Sequence, residues 1–402
     1  MSQAKKCEFM QFKEIADYVG VSQYPEAFET AFETQNQMAT NFCDLNEIQK
    51  YEEAYSVAGV YAELAVQAAQ ELLQDEKLYL YGKTICAYAK HSTHEEIRCV
   101  PLPAFDGSTK RDLFSLLILY TFIPESVAFY KNRGFTDTDI KNAYKSISGC
   151  IAGEEKVTGS ARLTPLYYNW TMLYVYGEVY QYDRFIYQFK KFTGGAILLK
   201  NRQTGDWLPM MTEHTFHKSG LVLGSAGAED TDGAFEAEFE ETETAFCGHP
   251  VYNGRVSPER IVCSKDLWEC VLKPGDITLS VHIPKGTDIT PAAVNRSFSG
   301  SFAIGRSLFP EHAPNFIVCY SWLLDPSLED LLGENSRIVG FGKAFVRFPV
   351  MSQGTEYKHF VFRGHEGPAE TLPEDTSLQR KIKQRLLSGG HVHYTAGIYR
   401  ME

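Results

Sequence analysis

Three side chains in the last third of the chain have the types and spacing that bond-making chemistry needs. His282 stands at the carboxyl end of the alternating segment Ile277-Thr278-Leu279-Ser280-Val281-His282-Ile283. An imidazole with an ordinary pKa near ~6.5 would take a proton from an attacking group as a general base. A structural histidine bonded to a neighbouring strand is the competing reading. Cys319 and Ser321 lie on one face of the extended segment 316–322, opposite Phe316, Val318, Tyr320 and Trp322. Placed beside His282, Cys319 would be a thiol nucleophile forming a covalent intermediate. A buried cysteine is more often packing. Ser321 would donate a hydrogen bond to a carbonyl oxygen as negative charge builds on it.

The elements that must position these groups are readable around them. Ile277, Leu279, Val281 and Ile283 share one face and Thr278, Ser280 and His282 the other, the period of two of a strand. Pro284-Lys285-Gly286 ends it. Thr290 as N-cap and Pro291 at the first helical position then open a helix predicted to reach Leu308. A second strand follows Pro310 and Pro314. A strand, helix and strand of this length predict a right-handed parallel unit, with ligands at the carboxyl ends of its strands. The loop after the first strand feeds a helix N-terminus, whose free N–H groups favour a phosphate. Lys285, Gly286 and Thr290 are the candidate residues of that anion site. Arg380, in the helix opened by Asp375-Thr376, is a further candidate phosphate or substrate contact.

Composition removes several function classes. A net charge of -12 over 402 residues argues against nucleic acid and against an anionic membrane surface. Nine cysteines without a C-x-x-C pair suit reduced thiols and a cytoplasmic protein. Residues 1–12 lack the apolar core of a signal peptide, and the longest apolar run, 113–123, is too short to span a bilayer. His391-Val392-His393 offers two imidazoles on one strand face but no third ligand. The calcium-like run Asp230-Thr231-Asp232-Gly233 fails because Ala228 and Phe239 cannot ligate. No metal is expected.

The first third reads as helix: residues 54–73, rich in Ala, Leu, Glu and Gln, then 110–122, then a helix opened by Pro124 and ending near Gly134. Asp137 is the expected cap of a fourth, ending near Gly149, and residues 152–156 read as a linker. Thr164 and Pro165 open another that stops near Gly177. The tyrosines from Tyr167 to Tyr182 form a dense cluster, which most often packs a domain junction. Short strands follow. Residues 185–189 and 196–199 around Gly194-Gly195 suggest a hairpin, as do 221–223 and 234–239 around Asp232-Gly233. The expected class is α+β, with a helical domain over 1–160 and a mixed-sheet domain over 161–402.

Four strings carry a resemblance. The order Val281-His282-Ile283-Pro284, Thr290-Pro291, Ser321-Trp322-Leu323-Leu324-Asp325-Pro326 and Asp375-Thr376-Ser377-Leu378-Gln379-Arg380 resembles the bacterial acyltransferase-domain proteins from about residue 50 onward. These pair a helical N-terminal N-acyltransferase domain with a C-terminal domain similar to the GNAT N-acetyltransferases. The resemblance implies acyl-CoA as co-substrate, held in a wedge between two splayed parallel strands. Pantetheine would lie along the first strand and pyrophosphate at the N-terminus of the next helix. Residues 277–283 and 316–322 would then be the walls. The Q/R-x-x-G-x-G/A signature usual in GNAT enzymes at the helix start is replaced here by Lys285-Gly286-Thr287-Asp288-Ile289-Thr290. The implied function moves an acyl group from an acyl-CoA thioester to an amine or hydroxyl acceptor, donor and acceptor both being small molecules. The alternative is a catalytically inactive GNAT-like module that binds a ligand or a protein. Oligomeric state is not readable.

Overall fold

The computed structural model describes residues 11–35, 42–284, 286–362, 365 and 367–399. The chain forms two compact units, one reaching Tyr180 and the other starting at Gln181. That division falls beyond the border at residue 160 expected from the sequence.

The first unit is helical from Phe12–Val19 to Pro165–Val175. The expected helix over 54–73 is interrupted. Leu45–Tyr55 ends where Ser56 turns to φ 55, a short 3-10 turn follows at Gly59–Tyr61, and Ala62–Leu73 resumes the helix. The two helices expected on either side of Pro124 are one, Phe114–Asn132. Leu116, Leu117, Ile118 and Leu119 are all fully buried, so packing on every side holds the helix through a residue that cannot donate to it. Residues 152–156 are helix rather than linker. Thr136, not Asp137, is the cap, in a reciprocal pair with Asp139, and Asp137–Thr158 ends at Gly159, whose φ of 78 suits a residue without a side chain. Glu155 helps to hold that last stretch by accepting the Tyr61 hydroxyl at 2.6 Å. The helix over Pro165–Val175 has the expected cap position and first-turn proline. Among the described residues no helix is long and apolar enough to cross a membrane.

Beyond the helical unit the described residues form two large sheets and a two-stranded one. The six-stranded sheet runs Val179–Tyr182, Phe185–Lys191, Ile277–His282, Ile317–Ser321, Thr395–Tyr399, Phe345–Pro349. The other large sheet is built on Ile261–Ser264, Ala245–Tyr252, Trp207–Met211, Ala196–Asn201 and Trp268–Leu272. Its Leu198, Met211 and Leu272 pack with Val318, Val346, Phe348 and Ile398 of the six-stranded sheet in one core. The hairpin expected around Gly194-Gly195 does not form, because its two strands belong to different sheets. Phe192 drops into the shared core at the crossing, and a Cβ on Gly194 would lie 2.7 Å from the Phe348 ring. The second expected hairpin is reduced to Thr215–Phe216 paired with Phe235–Glu236, and Val222 makes a single bridge to Phe216.

The helix Pro291–Leu308 has the predicted bounds and covers the opposite face of the six-stranded sheet. Ser297 bonds the Tyr187 hydroxyl at 2.7 Å, and Phe298 packs edge-on against Phe185 and Tyr399. Gly300 lets this helix come close, since a Cβ there would stand 2.3 Å from the Tyr182 ring. Ile277–His282 and Ile317–Ser321 are parallel, as a crossover helix between them requires.

Candidate active site

The two parallel strands are paired for only two residues. Leu279 is in register with Ile317 and Ser280 with Val318, and Leu279 donates its N–H to Phe316 O at 2.9 Å. Beyond that the inner edges have no paired residues. The outer edges stay laddered to the end: His282 with Ile186 on one side, Ser321 with Thr395 on the other. The strands therefore part like a wedge, each held open by its outer neighbour. Backbone groups alternate sides along a strand, so the Leu279 bond fixes which ones face the gap. They are the C=O of Val281 and the N–H of Tyr320, a donor and an acceptor suited to an extended amide-bearing chain.

Register also decides the side chains. Ser280 and Val318 share a face, so His282 and Tyr320, two residues further on each strand, lie on that same face, one on each side of the gap. The His282 imidazole is half-buried, and its Nε2 lies 3.1 Å from Gln188 Oε1. Since the amide oxygen only accepts, Nε2 is the protonated nitrogen. Burial, and then the positive charge of Lys190, push this imidazole down to about 4. Lys190 reaches the same face, being in register with Thr278. His282 is thus neutral at pH 7. The Tyr320 phenol is pushed up to about 12 by burial, with the Thr193 hydroxyl opposing the shift, and keeps its proton.

The other candidates lie elsewhere. Cys319 and Ser321 are on the opposite face from His282, so the Cys319–His282 pair weighed in the sequence is not formed. Cys319 is fully buried, and that burial raises its thiol far above the ordinary value. The Ser321 hydroxyl oxygen accepts the Leu323 N–H at 3.2 Å and closes the strand. Trp322 packs beside Tyr357 in a separate apolar cluster. Lys285 falls outside the described residues. Gly286, with φ 78, makes the turn in which Thr287 N–H meets Pro284 O at 3.1 Å.

Thr290 is the N-cap of the crossover helix, and its own N–H is taken by Asp288 Oδ1 at 3.0 Å. That N–H, followed by the Thr290 hydroxyl, holds the Asp288 carboxyl below its ordinary range. The helix has no acidic residue in its first turn, and Val294 is the first to bond back, to Thr290 O. The N–H groups of Ala292 and Ala293 precede that bond and form the helix's positive end.

Arg380 is exposed and donates to Glu374 O at 2.7 Å, on a helix, Ser377–Leu387, that packs through Ile382 into the Trp322 cluster. Gln379 serves that helix by capping Thr376 and by donating to Val361 O. His391 and His393 precede the last strand rather than lie on it, and His393 is tied to Asp325 and Ala226 O. Among the described residues no group of three His, Cys, Asp or Glu side chains could hold a metal. A cleft of about 820 Å³ lies at the Phe345–Pro349 edge, beside Trp207, Asn253 and Arg347, and neither His282 nor Tyr320 lines it.

Sequence reasoning missed Gln188, Lys190 and Tyr320. The alternation of 316–322 was visible, but not which residue of it shares the face of His282.

The chain is similar in structure to an acyltransferase solved in complex with CoA and 10C-teicoplanin, at 17% identity and a TM-score of 0.66. The match covers 98% of this chain and 100% of that one. An acyltransferase in complex with decanoyl-CoA matches at 17% identity and 0.65, and an acyltransferase mutant in complex with octanoyl-CoA at 16% and 0.64, both with the same coverage. At this identity the likeness establishes the shared fold. No curated protein matches the chain in sequence. Residues 184–399, which hold both walls of the wedge, match the model of the GNAT-like C-terminal domain, and the chain belongs to that family.

Proposed function

We propose that this protein is an acyltransferase that moves an acyl group from an acyl-CoA thioester to an amine or hydroxyl of a small-molecule acceptor. The observation that carries the reading is the wedge: parallel strands that pair twice and then part, with an imidazole and a phenol on one face, one on each side of the opening. The structurally similar acyltransferases, described with CoA, acyl-CoA and teicoplanin, support a thioester donor and a small-molecule acceptor.

In this reaction the donor's amide-bearing arm runs along the gap and meets Val281 C=O and Tyr320 N–H. Its phosphates lie toward the Ala292 and Ala293 N–H groups. The acceptor's nitrogen or oxygen bonds to the thioester carbonyl carbon while its proton passes to His282. The C–S bond then breaks, and the departing thiolate takes a proton from Tyr320. Transfer of a proton from the imidazolium to the phenolate restores both side chains. Bonding to the carbonyl makes the acceptor's proton far more acidic than in the free amine or alcohol, which eases its transfer to a base as weak as His282. Transfer is direct, with no part for the buried Cys319 thiol. Ser321, turned to the far face, keeps its role in the turn.

Calorimetry with decanoyl-CoA tests the donor site. Saturable binding is expected, weakened about tenfold by Ala292→Asp, which puts a carboxylate where the phosphates lie. The same substitution should leave thermal stability at or above the parent value, since a first-turn acid complements the helix dipole. Absence of any heat with medium-chain acyl-CoA would overturn the proposal.

A second reading, a GNAT-like binding module without turnover, draws on Asp288. Its carboxylate stands beside the helix start where a phosphate would otherwise be drawn. Binding of acyl-CoA with no acyl transfer to a panel of amines and alcohols would select it.

A further inference from the structure

We infer that Gln188 is a positioning residue for His282: its side-chain amide oxygen holds the imidazole as the Nε2–H tautomer and so presents Nδ1 as the proton-accepting nitrogen. The catalytic meaning of this rests on the transferase reading; the tautomer itself does not.

The argument begins with register. Gln188 lies opposite Ser280 on the strand that ladders the outer edge of Ile277–His282. Its side chain is therefore on the same face as His282, one diagonal step away, within reach of a long side chain. The distance of 3.1 Å from Oε1 to Nε2 is a hydrogen bond, and a carbonyl oxygen cannot donate. A neutral imidazole with Nε2 protonated carries its lone pair on Nδ1. Both partners sit on strands laddered residue by residue from Ile277 to His282, so the ring's position is set by backbone rather than by a loop.

The device resembles in principle the oriented base of a catalytic triad, where a partner fixes which nitrogen is free. A neutral amide replaces the carboxylate here. An aspartate or glutamate would stabilise the imidazolium and raise its basicity. The amide fixes the tautomer without adding charge to a site that already contains the Lys190 cation on the same face.

The test uses the full-length protein labelled with ¹⁵N-histidine, the His282 signals being identified by their loss in His282→Asn. In the parent at pH 7, long-range ¹H–¹⁵N correlations should show His282 protonated on Nε2 and bare on Nδ1. Gln188→Leu, which removes the acceptor at similar volume, should mix the tautomers and lower kcat about tenfold or more with KM for the acyl donor unchanged. Gln188→Glu, which still accepts, should restore the Nε2–H signature and recover kcat relative to Gln188→Leu. A parent proton on Nδ1, or a tautomer that Gln188→Leu leaves unaltered, overturns the inference. An inactive parent with the expected tautomer pattern overturns the transferase reading instead and upholds the positioning role.

Discussion

His282 decides most at the residue scale. Removing a general base typically costs ~10²–10⁴ in rate. His282→Ala is therefore expected to lower kcat at least about 100-fold while leaving the calorimetric affinity for decanoyl-CoA unchanged. Its pH behaviour follows from the shift to about 4. Since the neutral form dominates well below neutrality, kcat/KM should lack an inflection near the ordinary ~6.5 of histidine. The His282-dependent loss of rate should come only as pH falls toward 4. Stability runs the same way. The folded pKa is below the unfolded one, so between about 4 and ~6.5 the unfolded chain binds the proton more readily. This contribution is complete above ~6.5 and is lost as pH falls to the folded value. Urea midpoints measured from pH 7 down to 4 should therefore fall less steeply in His282→Gln than in the parent, because glutamine does not titrate.

Two of the four recognisable sequence strings turn out to be element-scale fastenings. In Ser321-Trp322-Leu323-Leu324-Asp325-Pro326, Ser321 caps the turn and Trp322 and Leu324 are buried. Asp325, with its side chain buried, accepts the Ser327 N–H at 3.0 Å and the His393 N–H at 2.6 Å. These bonds tie the end of a wedge strand to the segment entering the last strand. The His393 side chain and then these backbone N–H groups hold the Asp325 carboxyl below its ordinary range against the cost of burial, so it stays ionised. Asp325→Ala strands two backbone donors and a buried imidazole, and should cost about 3 kcal/mol in chemical denaturation. Asp375-Thr376-Ser377-Leu378-Gln379-Arg380 is likewise a capped helix start, with Thr376 and Gln379 as the reciprocal pair. These two strings identify a fold; of the groups at the gap, His282 and the Val281 C=O belong to the string 281–284, and Tyr320 belongs to none.

Taken as a whole, the molecule has separate cores. Among the described residues the apolar core of the helical unit draws on residues up to Tyr176, whereas Val318, Ile398 and their neighbours form cores of the second unit. Substitutions in the first core should thus spare donor binding. Leu117→Ala removes a fully buried side chain and should lower stability by about 2–5 kcal/mol. Calorimetry below the melting transition should still return the parental affinity for decanoyl-CoA. The first unit also uses phenol–carboxylate bonds between distant helices: Tyr55 to Asp137 at 2.6 Å, Tyr61 to Glu155 at 2.6 Å and Tyr18 to Asp75 at 2.8 Å. Such directed contacts satisfy these three hydroxyls as the helices pack.

The sequence alone determined what short-range physics determines. Alternation at residues 277–283, the cap and first-turn proline at Thr290 and Pro291, and the crossover length gave a helix with the right bounds between two parallel strands. It failed where neighbours outside the segment overrode local signals. Pro124 sits inside a helix buried on all sides, and the Gly194-Gly195 turn joins two sheets rather than two paired strands. Only the tertiary structure decided the site. Whether Cys319 or Tyr320 shares the face of His282 depends on a shift of one residue between strands whose pairing lies more than thirty positions apart in the chain. Gln188 is 94 residues from the histidine it holds. No local pattern encodes such a meeting, because it arises from the packing of whole sheets and not from the preferences of either segment.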